Sequence, residues 1–185
     1  YRKNTVPGAG NPQSRILFIG EGPGYHENDQ GLPFVGAAGK FLDEMLASIQ
    51  LQRKDVFITN VVKCRPPSNR DPEPSELAAC NRYLEQQITA INPTVIVTLG
   101  RFSMRKFLPY ARISRVHGNP AKIKGRLIVP MYHPAAALHQ PRLRQVVMAD
   151  FAKLPKLISQ SLPQLTEEPA SPEEDDFSGT QARLF

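Results

Sequence analysis

Arg15-Ile-Leu-Phe-Ile-Gly-Glu-Gly-Pro-Gly-Tyr25 is an apolar run that ends abruptly in a glycine-rich turn. An uninterrupted Ile-Leu-Phe-Ile reads as a strand covered on both faces, the habit of parallel sheets packed between helices. Three further runs share that character: Asp55-Val-Phe-Ile-Thr-Asn-Val-Val62, Pro93-Thr-Val-Ile-Val-Thr-Leu-Gly100 and Arg126-Leu-Ile-Val-Pro-Met-Tyr132. Helical periodicity lies between them. Residues 36–50 bring Phe41, Leu42, Met45, Leu46 and Ile49 to one face. Residues 75–91 follow Pro72 and Pro74, with Ser75 expected as N-cap. Residues 101–108 and 143–159 are two more expected helices. Strand–helix alternation predicts right-handed crossovers and an α/β fold with a parallel sheet. Ligands bind such sheets at the carboxyl ends of the strands, so the residues that follow each strand matter most.

The chain has 185 residues, enough for one domain with a real core. Its net charge of +6 conceals an asymmetry. Residues 164–185 hold six acids against one base, while the rest holds 22 bases against 11 acids. A compact unit with that excess of Lys and Arg suits a polyanion. After Ser161 the composition turns acidic and proline-bearing, with too few apolar residues for a core. Residues 1–161 are therefore expected to form one domain and 162–185 a disordered tail. No apolar stretch approaches the ~20 residues that span a bilayer, and no signal sequence is read at the start. The two cysteines, Cys64 and Cys80, make no disulfide framework. A cytoplasmic monomer is expected. The chain opens on Tyr1 rather than Met, which is read as a trimmed start.

The first strand runs into Gly20-Glu21-Gly22-Pro23-Gly24-Tyr25. A dinucleotide-binding fingerprint requires glycine at the sixth position and a helix directly after it. Here that position is Tyr25, so a nucleotide-binding oxidoreductase fails on spacing. Glycines still let backbone amides approach a flat ligand closely. The second strand ends at Thr59-Asn60, and an Asn amide offers one donor and one acceptor to the edge of a base. An Asx turn is the commoner use of Asn at such a place. The fourth strand ends at Tyr132-His133-Pro134, where Pro134 turns the chain and leaves His133 at the sheet's edge. His26, His117 and His139 are read as structural. Phe34 adds an aromatic. Together these residues describe a pocket of base size rather than a phosphate cradle.

Four stretches taken in order resemble the motifs of family 4, iron–sulfur, uracil-DNA glycosylases. They are Gly20-Glu-Gly-Pro-Gly24, Gly31-Leu-Pro-Phe-Val-Gly36, Thr59-Asn-Val-Val-Lys-Cys-Arg-Pro-Pro67 and His133-Pro134. The likeness covers roughly residues 2–158. It implies a three-layer sandwich with a central four-stranded parallel sheet flanked by helices, in agreement with the pattern above. It also implies an enzyme that flips uracil out of DNA and hydrolyses its N-glycosidic bond, leaving an abasic site.

By the same resemblance, His133 would hydrogen-bond uracil O2 as negative charge builds, Asn60 would read the N3–O4 edge, and Phe34 would stack on the base. Gly22 and Gly24 would line the pocket. Glu27 is the expected residue for crowding a thymine methyl or holding the attacking water, with Glu21 ordering the loop or the water. The water's activator is left open, because Gly22 stands where family 1 enzymes carry Asp. The family's usual acid after Glu27 is here Asn28. Leu138 is the expected wedge for the gap in the duplex, with Arg142 and Arg144 for phosphates. Alternatively, Ala135-Ala-Ala137 simply opens a helix.

Cys64 and Cys80 match the second cysteine pair of the family's [4Fe–4S] site. Two ligands do not hold a cubane. The family's other pair, a Cys-x-x-Cys, precedes the stretch that here reads Arg2, Val6 and Gly8, so it has been either truncated or lost, and truncation is the expectation. The last five residues, Gln181-Ala-Arg-Leu-Phe185, resemble the Gln-x-x-Leu-Phe peptide that docks bacterial repair proteins on the sliding clamp. Gln181, Leu184 and Phe185 would be its contacts. The chief rival is a non-catalytic DNA-binding relative associated with a phage-type DNA polymerase. The uracil-trapping branch of the superfamily is set aside, since Ser68-Asn-Arg-Asp-Pro72 lacks that branch's His.

Overall fold

The computed structural model describes residues 2–138 and 140–161. His139 and residues 162–185, with the expected clamp-binding Gln181, Leu184 and Phe185, lie outside the described residues. The strands are β1 (Ala9–Gly10), β2 (Ile16–Gly20), β3 (Phe57–Asn60), β4 (Val95–Leu99), β5 (Ala121–Ile123) and β6 (Arg126–Met131). The helices are α1 (Tyr25–Gln30), α2 (Ala37–Ser48), α3 (Pro74–Ile91), α4 (Arg101–Phe107), α5 (Ile113–Val116), α6 (Pro134–Ala137), α7 (Pro141–Phe151) and α8 (Leu154–Ser161).

The four apolar runs become β2, β3, β4 and β6, which are the inner strands and pair in parallel. The sheet is nevertheless six-stranded and mixed, in the order β1-β3-β2-β4-β6-β5. The extra strands pair antiparallel, β1 on β3 and β5 on β6. Both are too short to carry an alternating signal: β1 is Ala-Gly and β5 is Ala-Lys-Ile. β5 and β6 meet in a two-residue hairpin at Lys124 and Gly125, both at positive φ, as such hairpin turns demand.

Alternate residues of one strand serve opposite faces. Ile16 and Phe18 of β2 face a core made with Phe41, Leu42, Met45 and Leu46 of α2 and Phe151 of α7. Leu17 and Ile19 face the other way, towards Leu84 and Ile88 of α3 and Phe102 and Phe107 of α4. Helices thus cover both sides, and the continuous apolar runs are explained.

Some boundaries differ from expectation. Ser75 is not the N-cap of α3; Glu73 holds that place and Pro74 opens the helix, because Pro fits the first turn, where no intrahelical N–H bond is required. The Glu73 amide donates to the Glu76 carboxylate at 2.8 Å. The single helix expected over 143–159 is two, α7 and α8, and Pro155 in the first turn of α8 removes the donor that would join them. No helix among the described residues is long and apolar enough to cross a membrane.

Candidate active site

At the carboxyl ends of the inner strands lies a cavity of about 230 Å³. Of the residues named from sequence, Glu21, Gly22, Gly24, Glu27, Phe34, Asn60 and His133 all line it. β2 delivers the glycine loop, β3 delivers Asn60, and β6 delivers His133.

Asn60 is 1 % exposed, and its side-chain Oδ1 has no hydrogen-bond partner. A buried amide oxygen left unpaired costs roughly 1–3 kcal/mol, so the fold holds an acceptor in reserve beside an open cavity. Gly20 permits this arrangement: a Cβ there would fall 2.4 Å from Asn60 Oδ1 and 2.6 Å from the Phe34 ring. Phe34 is buried and lies at φ +55°, a conformation that non-glycine residues rarely take.

Two side chains hold that strained loop, and neither part was foreseen. Oε1 of Glu27 accepts the amides of Val35 at 2.9 Å and Gly36 at 2.8 Å, while Oε2 accepts the Gly24 amide at 3.1 Å. Glu27 therefore staples the glycine loop to the Phe34 loop. From below, Arg53 donates to the carbonyls of Pro33, at 2.9 Å, and Phe34. The backbone of α2 completes the clamp, since any Cβ on Gly39 would meet the Phe34 carbonyl oxygen at 1.7 Å. An Arg ahead of a strand gives no sequence signal for this, and an acid three residues past the last loop glycine reads equally well as catalyst or staple.

His133 Nδ1 accepts the Ala135 amide at 3.1 Å. That nitrogen is thereby unprotonated, and the ring's single proton belongs on Nε2. The residue is half-buried by surface area, yet its ring is densely enclosed. Burial lowers its pKa to about 4, opposed by a weaker upward pull from Glu27. At neutral pH the ring is an uncharged donor. It stacks with Phe34, with centroids 5.6 Å apart and planes 26° apart, and Gly100 packs beneath it, where a Cβ would lie 3.1 Å from His133 Cβ.

Glu21 is the other carboxylate at the cavity. Burial raises its pKa, Asp71 adds to the rise, and Arg101 opposes it. Arg101 pairs with Asp71 in an ion pair at the surface. Asn69 and Arg70 also line the wall. They come from a loop read from sequence for its cysteine and for the absence of a His, not for a place at the cavity.

The residues expected to touch DNA are less concentrated. Leu138 does not line the cavity; it is half-buried at the end of α6 and packs against the larger core. Pro134–Ala137 does open a helical turn, and Ala135 is the part of it that reaches the cavity. Arg142 is exposed. Arg144 is engaged by Glu44 and lies 4.1 Å from the Phe41 ring centroid.

Cys64 and Cys80 are free and half-buried. The Lys63 amide donates to Cys80 Sγ at 3.4 Å, and the Arg2 guanidinium to Cys64 Sγ at 3.7 Å. Cys80 thus sits against the backbone beside Cys64, with the N-terminal segment adjacent. Among the described residues no group of three or more His, Cys, Asp or Glu could hold a metal. Two thiols supply half the donor set of a four-thiolate cluster.

Comparison with known proteins accords with this geometry. The chain is 49% identical over 173 residues to a type-4 uracil-DNA glycosylase of Archaeoglobus fulgidus, covering 89% of this chain and 87% of that protein. It is 45% identical to a type-4 uracil-DNA glycosylase of Thermotoga maritima, covering 85% and 84%. A DNA polymerase of Bacillus phage SP01 is 30% identical over 88% of this chain but only 18% of its own length. Residues 7–154 match the family described as the uracil DNA glycosylase superfamily. The chain belongs to that superfamily, among its type-4 uracil-DNA glycosylases.

Proposed function

We propose that this chain excises uracil from DNA by hydrolysing the bond between base and sugar. The buried, unpartnered Oδ1 of Asn60 carries the reading. It would accept uracil N3–H while the amide nitrogen donates to O4. Cytosine offers the opposite polarity at both atoms, and pairing failures inside a dry pocket discriminate strongly. A flipped base would stack on Phe34. As the bond breaks, negative charge grows on uracil O2, and the neutral His133 Nε2–H is the donor to meet it. Because its pKa is about 4, the ring acts as an electrophile rather than a proton donor. Glu27, committed to three amides, is proposed as a shaping residue. Glu21 has no such commitment, and its burial favours a water-activating role.

Arg142 and Arg144 are proposed as phosphate contacts, the latter after exchanging Glu44 for DNA. Leu138 would need α6 to shift before it could act as a wedge. We further infer a soluble cytoplasmic enzyme in which Cys64 and Cys80 hold two corners of a [4Fe–4S] cluster that braces loop 64–80. Iron content that falls in Cys64→Ser protein tests this; iron unaffected by the change refutes it. The clamp-docking role of Gln181, Leu184 and Phe185 is tested by pull-down with a bacterial clamp, where loss on L184A/F185A is expected.

The decisive assay uses a labelled oligonucleotide with one uracil, beside cytosine and thymine controls. Alkali-sensitive breaks only at uracil are expected, reduced about 100-fold or more by Asn60→Ala and by His133→Ala. DNA binding without cleavage would instead favour the non-catalytic relative suggested by the phage polymerase.

A further inference from the structure

Lys63 is 6 % exposed, yet it forms no ion pair among the described residues. Its ammonium donates to three neutral oxygens: Thr59 Oγ1 at 2.6 Å, Gln87 Oε1 at 2.6 Å and the Asn60 main-chain carbonyl at 2.8 Å. Each of its three protons has an acceptor. Burying an ammonium is costly, and an apolar side chain of the same length would fill the space more cheaply. The bonds it makes must offset that cost.

The position of the third bond suggests a role. Asn60 is the last residue of β3, and its side chain faces the cavity with Oδ1 unpaired. Beyond it, the Val61 and Val62 amides donate to Gly20 and Glu21, at 3.0 and 3.1 Å, so the chain stays paired with the glycine loop. The Asn60 carbonyl instead meets the Lys63 ammonium, which returns from three residues downstream. The other two acceptors are themselves tied down. Thr59 Oγ1 and Gln87 Nε2 both donate to the Pro7 carbonyl at 2.7 Å, and the Lys63 carbonyl receives the Val6 amide at 2.7 Å. The ammonium is thus the hub of a network spanning the N-terminal segment, β3 and α3.

We propose that Lys63 is the positioning residue for Asn60. By clamping the main-chain carbonyl of the base-reading residue, it fixes the plane in which the amide meets the uracil edge. Lys63 does not touch the base. Of its three bonds, the one to the Asn60 carbonyl is the link to the cavity, which gives the inference its test. The inference rests on the proposed uracil-excising function.

The experiment is a double-mutant cycle on the full chain, read by single-turnover cleavage of uracil-containing DNA. Lys63→Met, which keeps the stem and removes the ammonium, is expected to slow cleavage about tenfold in the native background. Affinity for uracil-free DNA should stay unchanged. In the Asn60→Ala background the same substitution should change the rate less than about twofold, because coupled residues are not additive. Equal losses in both backgrounds, or no loss in either, overturn the proposal. Should Lys63→Met not fold, Gln87→Met withdraws one acceptor, and a smaller loss with the same dependence on Asn60 is expected; additive losses again overturn it. Wild-type protein that cuts no uracil fails the functional reading itself, and that control separates the two failures.

Discussion

Two loops border the cavity, and they are held in different ways. The loop from Glu21 to Gly36 is secured from within. Glu27 takes three backbone amides, Arg53 takes two carbonyls, and Gly39 admits the Phe34 carbonyl at close range. The loop from Cys64 to Glu73 is secured by ion pairs at the surface: Arg70 with Glu76, bidentate at 2.8 and 2.9 Å, and Arg101 with Asp71. Exposed pairs contribute little and weaken in salt. The first loop holds the Phe34 ring in a strained backbone and so needs internal restraint. The second carries both a cavity wall and a cysteine, and a metal cluster would supply what its ion pairs do not.

The largest expected effect falls on the first loop. Glu27→Ala strands three amides, and charge-assisted bonds of this kind make a loss of about 4 kcal/mol reasonable. Urea unfolding measures it; a loss below about 1 kcal/mol would mean that the loop holds itself. Next comes the site's response to acid. His133 has a folded pKa of about 4 against an ordinary 6.5. Between those values the unfolded chain takes up a proton that the folded chain refuses. Its contribution is therefore complete above pH 6.5 and is lost as pH falls towards 4, on the order of 3 kcal/mol in all. Unfolding midpoints from pH 7 to 4.5, compared with those of His133→Asn, isolate it, and parallel curves for the two proteins would place the ring in water. The smallest effect belongs to the second loop. Arg70→Met should move the melting temperature by no more than about 2 °C, and high salt should erase even that. A large drop would show that this loop too is internally braced.

The same contrast separates what could be read in advance from what could not. The inner strands were legible because two-sided burial writes an unbroken apolar run, as in Ile16–Gly20. The gathering of Gly22, Asn60 and His133 at one rim was legible because the carboxyl ends of parallel strands are where such folds bind ligands. β1 and β5 were not, being two and three residues long on the sheet's edges. The roles of Glu27 and Arg53 depend on where distant backbone atoms arrive, which neither periodicity nor spacing encodes. Leu138 shows a further limit: its place after His133-Pro134 suggested the duplex, and its partial packing against the core carries no sequence signal.

The strand order has a kinetic consequence. Leu17 pairs with Phe57, Ile16 with Val95 and Val95 with Leu127, so every contact that builds the inner sheet closes a loop of thirty residues or more. Such non-local closures are slow, and each must be made before it is rewarded. Gly20 and Asn60 end two of these strands, and His133 follows the end of a third. No stretch of nascent chain that stops short of β6 can assemble the cavity, however well its helices form. Recognition of the base should therefore appear all at once, at the last closure, rather than accumulate along the folding path.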